Sequence, residues 1–152
     1  MLVRRRRSRS PRTRVFAARF TLEFPEDKLS WADFRGKVLG ATNPAEAEAG
    51  AVRRAILDDW KALGLASEPD TGDNGVHASA SPFEGLAERL NWLGATVEGD
   101  NFGAAMVAAG VPKATMLEWT TDPIVAGGSL FDALEDLDRS ACLAKAVTLV
   151  GK

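Results

Sequence analysis

Asn74–Gly94 reads NGVHASASPFEGLAERLNWLG, and its centre decides the fold. Ser81 stands where a helix N-cap is needed, Pro82 follows at the first helical position, and Glu84 comes three residues after Ser81. This is a capping box, with proline placed where its missing N–H costs nothing. Leu86, Leu90 and Leu93 recur at helical spacing and Gly94 supplies a stop, so the stretch predicts a helix over 82–93 that buries the three leucines. His77, the single histidine of the chain, lies five residues ahead of Pro82. A helix N-terminus offers unpaired N–H groups and a partial positive charge, which together hold phosphate. An imidazole beside such a mouth can act as base or nucleophile toward that phosphate. Glu84 and Glu88 fall on one face of the helix and are spaced to orient the ring, while Thr42, Arg53, Arg54 and Asn74 are further polar groups in or beside loops.

Upstream, Val15–Phe24 (VFAARFTLEF) alternates loosely, is rich in Phe, and predicts a strand ended by Pro25. Leu29–Leu39 carries Leu29, Trp31, Phe34, Val38 and Leu39 at helical spacing, with Ser30 as N-cap and Gly40 as stop. A small, polar loop follows over 41–50. A second helix is predicted over 51–63, with Val52, Ile56, Trp60 and Leu63 on one face. Glu68–Asn74 is a turn-rich connection, and Gly75–Ser79 reads as a short strand. Downstream, Phe102–Ala109, Ala114–Trp119 and Ser129–Val150 read as helices, and no internal repeat is visible. Their apolar side chains, among them Phe102, Met106, Met116, Trp119, Leu130, Leu134 and Leu149, read as core laid on the sheet, with a docking face for a partner as the other reading.

Charge is distributed unevenly. Residues 1–22 hold eight arginines and no acid, so the net charge of −2 leaves about −10 on the remainder. The arm over 1–14 therefore reads as a solvated, disordered segment, with an organelle transit segment and a nucleic-acid-binding tail as the alternatives. The acidic remainder offers no extended basic face behind the arm, which argues against nucleic acid as the partner. No apolar run approaches the ~18 residues of a membrane-spanning helix. One cysteine, Cys142, excludes an internal disulfide, and with a single histidine it argues against a zinc site.

Three separated blocks carry a family likeness. Gly40-Ala41-Thr42-Asn43-Pro44, then Gly50-Ala51-Val52-Arg53, then Asn74-Gly75-Val76-His77-Ala78-Ser79-Ala80-Ser81, with Glu88 in the following helix, resemble the nucleoside diphosphate kinase signature. In that family the blocks read Gly-x-Thr-x-Pro, Pro-Gly-Thr-Ile-Arg and Asn-x-x-His-Gly-Ser-Asp-Ser. The likeness covers Val15–Leu93. It implies an α+β fold: part of a ferredoxin-like antiparallel sheet with helices, here over 15–94, followed by a helical C-terminal extension over 95–152. It also implies that His77 accepts the γ-phosphoryl group of a nucleoside triphosphate and passes it to a diphosphate. Glu88 would fix the ring's tautomer and Ser79 would assist it. Thr42 and Arg53 would contact phosphate oxygens, and Asn74 the ribose hydroxyl and phosphates. Mg2+ would be bound through the nucleotide phosphates and by no protein cage. A homo-oligomer or a subunit of a larger complex is the implied assembly. The implied setting is the cytoplasm, with a cilium or flagellum for a structural subunit, and an organelle as the alternative that the arm suggests.

The chain departs from the family pattern at defined points. Gly36 stands where the family has arginine four residues before Gly40, with Arg35 and Lys37 on either side. Ala49 and Ala51 replace the Pro and Thr of Pro-Gly-Thr, and Ala78 and Ala80 replace the Gly and Asp after the histidine. The family's first two strands, its early Lys-Pro-Asp motif and its base-stacking helical hairpin find no counterpart ahead of Val15. These departures support a second expectation: a catalytically weak or inactive structural subunit that keeps the family fold.

Overall fold

A computed structural model of the protein describes residues 2–5 and 16–151. The chain is mixed α and β and forms two compact units, Met1–Ala78 and Ser79–Lys152. The division falls inside the span 15–94 read from the sequence as one domain. Among the described residues, no helix is long and apolar enough to cross a membrane.

The first unit holds a three-stranded antiparallel sheet in the order β2-β1-β3, built from β1 (Leu2–Arg5), β2 (Phe16–Arg19) and β3 (Val76–His77). Leu2 is paired with Arg19 on one side and with His77 on the other. The central strand thus comes from Leu2–Arg5 of the arginine-rich arm; positions 6–15 of the chain lie outside the described residues. The strand predicted over 15–24 is realised only in Phe16–Arg19. Phe20 and Leu22 are exposed, and Phe24 instead joins an aromatic cluster with Trp31 and Phe34, at ring-centroid distances of 5.5 and 5.1 Å.

The helix predicted over 29–39 changes character midway. Ser30 caps α1 (Trp31–Asp33), its Oγ accepting from the Asp33 N–H at 3.0 Å, and the chain then widens into a π-helical segment, Phe34–Leu39. Gly36 makes the normal turn easy to abandon. The wider turn sets Phe34 and Leu39, five apart, into the core and leaves Val38 exposed. Gly40 ends it at φ +93°, where a Cβ would lie 2.7 Å from the Ala47 Cβ and 2.9 Å from that of Ala51. Only glycine serves there, because the backbone is left-handed and the space is already filled. A 3-10 turn, Pro44–Glu46, leads to α2 (Val52–Asp58), which is shorter than predicted. From Asp59 the chain passes into hydrogen-bonded turns, and Leu63 is exposed. Val52 and Ile56 pack on a small core of Phe34, Leu39, Val76 and Ala78.

The second unit opens with the capped helix as read. In α3 (Pro82–Leu93) the Ser81 Oγ accepts from the Glu84 N–H at 3.1 Å, and Gly94 closes the helix in the left-handed conformation. Glu84 reciprocates one residue earlier than a standard capping box, accepting from the Ala80 N–H. Leu86 is buried and Leu90 half-buried, but Leu93 is 50 % exposed, because the helix ends before its last turn reaches a neighbour. The remaining elements are α4 (Asn101–Ala108), α5 (Lys113–Trp119), a hairpin of β4 (Ile124–Val125) and β5 (Gly128–Ser129), α6 (Leu130–Leu134) and α7 (Arg139–Leu149).

Within the second unit, the apolar residues of the tail build a core around α3. Phe83 is fully buried and meets Trp119 edge-on at 5.9 Å and Phe131 at 6.2 Å. Met106, Met116, Leu130 and Leu134 fill the same core, while Val107, Leu117 and Val147 are exposed. Asp100 caps α4, its Oδ1 accepting from the Phe102 and Gly103 N–H groups at 2.8 and 3.0 Å, and its Oδ2 pairs with Arg89. Cys142 is fully buried on α7, and burial pushes its thiol up to about 12.

Candidate functional site

Four of the six residues to which the family likeness gives roles, Thr42, Arg53, Asn74 and His77, belong to the first unit and gather along β3. His77 is the exposed second residue of that strand. Among the described residues β3 has β1 as its one ladder neighbour, so the other side of its backbone must find partners elsewhere or meet water. Two side chains supply them at Val76, the residue before His77. The Val76 N–H donates to the Asn74 Oδ1 at 3.4 Å, and the Val76 carbonyl accepts from the Arg53 Nη2 at 3.3 Å.

Both side chains extend to the Gly40–Pro44 loop. The Arg53 Nη1 donates to the Gly40 carbonyl at 2.6 Å, and the Asn74 Nδ2 donates to the Thr42 carbonyl at 3.1 Å. Thr42 itself is exposed. The three blocks, far apart in sequence, thus meet at the backbone that carries His77. Sequence reasoning placed Thr42, Arg53 and Asn74 as ligand contacts. It did not foresee Arg53 and Asn74 as main-chain braces, since a side chain to carbonyl bond across 23 residues leaves no spacing signal.

Arg53 is held in an unusual electrostatic position. Burial first, and the nearby charge of Arg35 second, pull its guanidinium below the ordinary arginine range. Its Nε is buried with no hydrogen-bond partner among the described residues. A guanidinium has five N–H donors, and two carbonyls engage only part of that set. A cation desolvated and crowded by another cation gains from an anionic neighbour. Arg35 flanks the position at which the family pattern would place its arginine. Lys37, on the other flank, is engaged with Asp33 at 2.9 Å, which raises its own pKa through that hydrogen bond and charge. Arg54 points elsewhere, to Asp58 at 2.9 Å.

Ala51 and Ala78, which replace family residues, are both buried: Ala51 beneath Gly40, and Ala78 in the small core with Val76. Their small side chains are used in packing.

Ser79 and Glu88 belong to the second unit, where the Ser79 hydroxyl donates to the Glu88 Oε2 at 2.7 Å. The first turn of α3 is less open than its sequence suggests. Ser81, Pro82 and Phe83 are buried, Pro82 has no N–H, and the Glu84 N–H is taken by Ser81. The free donors that make a helix mouth attractive to phosphate are therefore largely spent within the cap. Ala80, one residue earlier, is held through its carbonyl by the Asp136 N–H at 2.9 Å.

No protein-family model, curated protein or solved structure matches the chain significantly.

Proposed function

We propose that the protein is a nucleoside-diphosphate-kinase-like phosphotransferase built on a partial ferredoxin-like sheet, with His77 as the phosphoryl acceptor. The observation that carries this reading is that Arg53 and Asn74 bond the main chain of Val76, next to an exposed histidine, and tie it to the Gly40 and Thr42 carbonyls of a third segment. A ring nitrogen of His77 attacks the γ-phosphorus of a nucleoside triphosphate. The bond from that phosphorus to the β–γ bridging oxygen breaks, and the diphosphate leaves with the electron pair. A second nucleoside diphosphate then attacks the phosphohistidine through a terminal β-phosphate oxygen, and the P–N bond breaks. Arg53, with the charge of Arg35 beside it, supplies positive potential for the polyphosphate. Thr42 provides a neutral polar contact, and Mg2+, which would come with the nucleotide and not be held by the chain, would supply charge neutralisation for the phosphates.

A second reading has its own support. Arg53 already donates to two main-chain carbonyls, and the mouth of α3 is buried. Both features suit a module that keeps the architecture as a subunit of a larger complex or as a homo-oligomer, with little or no turnover. Incubation of the purified protein with γ-labelled ATP and Mg2+ separates the two. The kinase reading expects acid-labile label on the wild type and none on His77→Ala. Absence of label on the wild type removes it and leaves the structural reading.

A further inference from the structure

Val76 is gripped on both of its main-chain polar groups by side chains, and the residue that follows it is His77. Asn74 takes the Val76 N–H at 3.4 Å and is itself tied to the Thr42 carbonyl at 3.1 Å. Arg53 takes the Val76 carbonyl at 3.3 Å and is tied to the Gly40 carbonyl at 2.6 Å. The Val76 side chain is buried in the small core beside Phe34, Leu39 and Ala78. Gly40, the far anchor of Arg53, is itself fixed by its left-handed backbone and by Ala47 and Ala51. The Arg53 tether therefore ends on a rigid point, and the edge of β3 is held by side chains where no neighbouring strand stands among the described residues.

We infer that Arg53 and Asn74 are positioning residues that clamp Val76 and thereby fix the backbone from which the His77 imidazole projects. The inference rests on the phosphotransferase reading only for its kinetic consequence; the clamp itself is a property of the resting protein. A reacting group displaced by about 1 Å can lose on the order of 10²-fold in rate, so two side chains that hold the nucleophile's backbone can govern turnover through its position. The clamp predicts a pattern unlike that of a phosphate ligand. Removing a phosphate contact weakens nucleotide binding and raises KM, whereas loosening the clamp lowers kcat and leaves KM nearly constant.

The test uses the full chain and the variants Asn74→Ala, Arg53→Met and Arg53→Lys. Lysine keeps the charge but has no planar fork with which to span two carbonyls, so it is expected to behave like Arg53→Met. It also serves as the second variant if Arg53→Met folds poorly. Amide exchange at Val76 is expected to quicken by about 2- to 10-fold in Asn74→Ala, the range of one ordinary hydrogen bond. His77 is the single histidine, so its ring resonances are unambiguous, and they are expected to shift or broaden in all three variants. Label transfer from ATP is expected to slow by on the order of 10²-fold at constant KM. Val76 exchange and His77 resonances that match the wild type overturn the clamp, as does a rise in KM at constant kcat. If the wild type takes up no label, the kinase reading fails alone, and exchange and resonances still decide the clamp.

Discussion

Arg89→Ala is expected to destabilise the second unit by about 3–5 kcal/mol, the cost of leaving one member of a buried ion pair uncompensated. Asp100 is the member left behind. Its side chain is 1 % exposed, and it simultaneously caps α4 through two N–H groups. Water cannot replace the guanidinium at such a site. The loss is comparable with the whole stability of a small domain, so the urea midpoint should fall sharply and the helical signal should melt early. The double variant Arg89→Met with Asp100→Asn separates charge from cap. Asparagine keeps the oxygen that the α4 N–H groups need, and the pair no longer leaves a charge behind. It is expected to recover more than half of the loss. A cost below about 1 kcal/mol for Arg89→Ala, the scale of an exposed pair, would show that Asp100 is better solvated than its burial indicates.

Phe83→Ala is expected to cost a similar about 3–5 kcal/mol, for a different reason. The ring is fully buried and meets Trp119 and Phe131 edge-on. Truncation leaves a cavity whose walls belong to three separate helices, α3, α5 and α6, and so cannot collapse easily. Phe83→Leu, which refills most of the volume, should cost markedly less. Denaturant titrations of the two variants at equal protein concentration measure the difference. Equal effects would mean that the pocket relaxes around either side chain. Because Phe83 is the second residue of α3, the truncated variant should also fray the start of that helix, loosening the hydrogen bond between Ser79 and Glu88.

The legible parts of this molecule are those that local chemistry determines. Ser81, Pro82, Glu84 and Gly94 announce α3, and its limits match. Asp100 caps α4 by the same short-range logic, a cap that the reading of the sequence missed. The apolar tail is legible as core, because so many large side chains must go somewhere, but its pairing with α3 is not. That pairing depends on Phe83 and Leu86 meeting residues more than twenty positions away. The π-helical segment was read as ordinary helix. The spacing of Phe34, Val38 and Leu39 satisfies both periods, and only packing chooses between exposing Val38 and exposing Leu39. At Leu2–Arg5 the arginine content hides a run that pairs as a strand. At the site, the ordered motif blocks name residues that the structure brings together along β3. The braces from Arg53 and Asn74 to Val76 were invisible, since they join side chain to main chain and follow no repeat.

The depth of Cys142 gives the protein a built-in clock. With its sulfhydryl fully enclosed on α7 and its ionisation pushed to about 12, almost no nucleophilic thiolate exists near neutral pH in the closed form. A maleimide or an aromatic disulfide can react only when the second unit opens, so the alkylation rate at pH 8 reports how often that happens. The wild type is expected to be modified far more slowly than a urea-unfolded control, and Arg89→Ala to lie between them. Modification of the native chain at the unfolded rate would place the sulfur in contact with solvent.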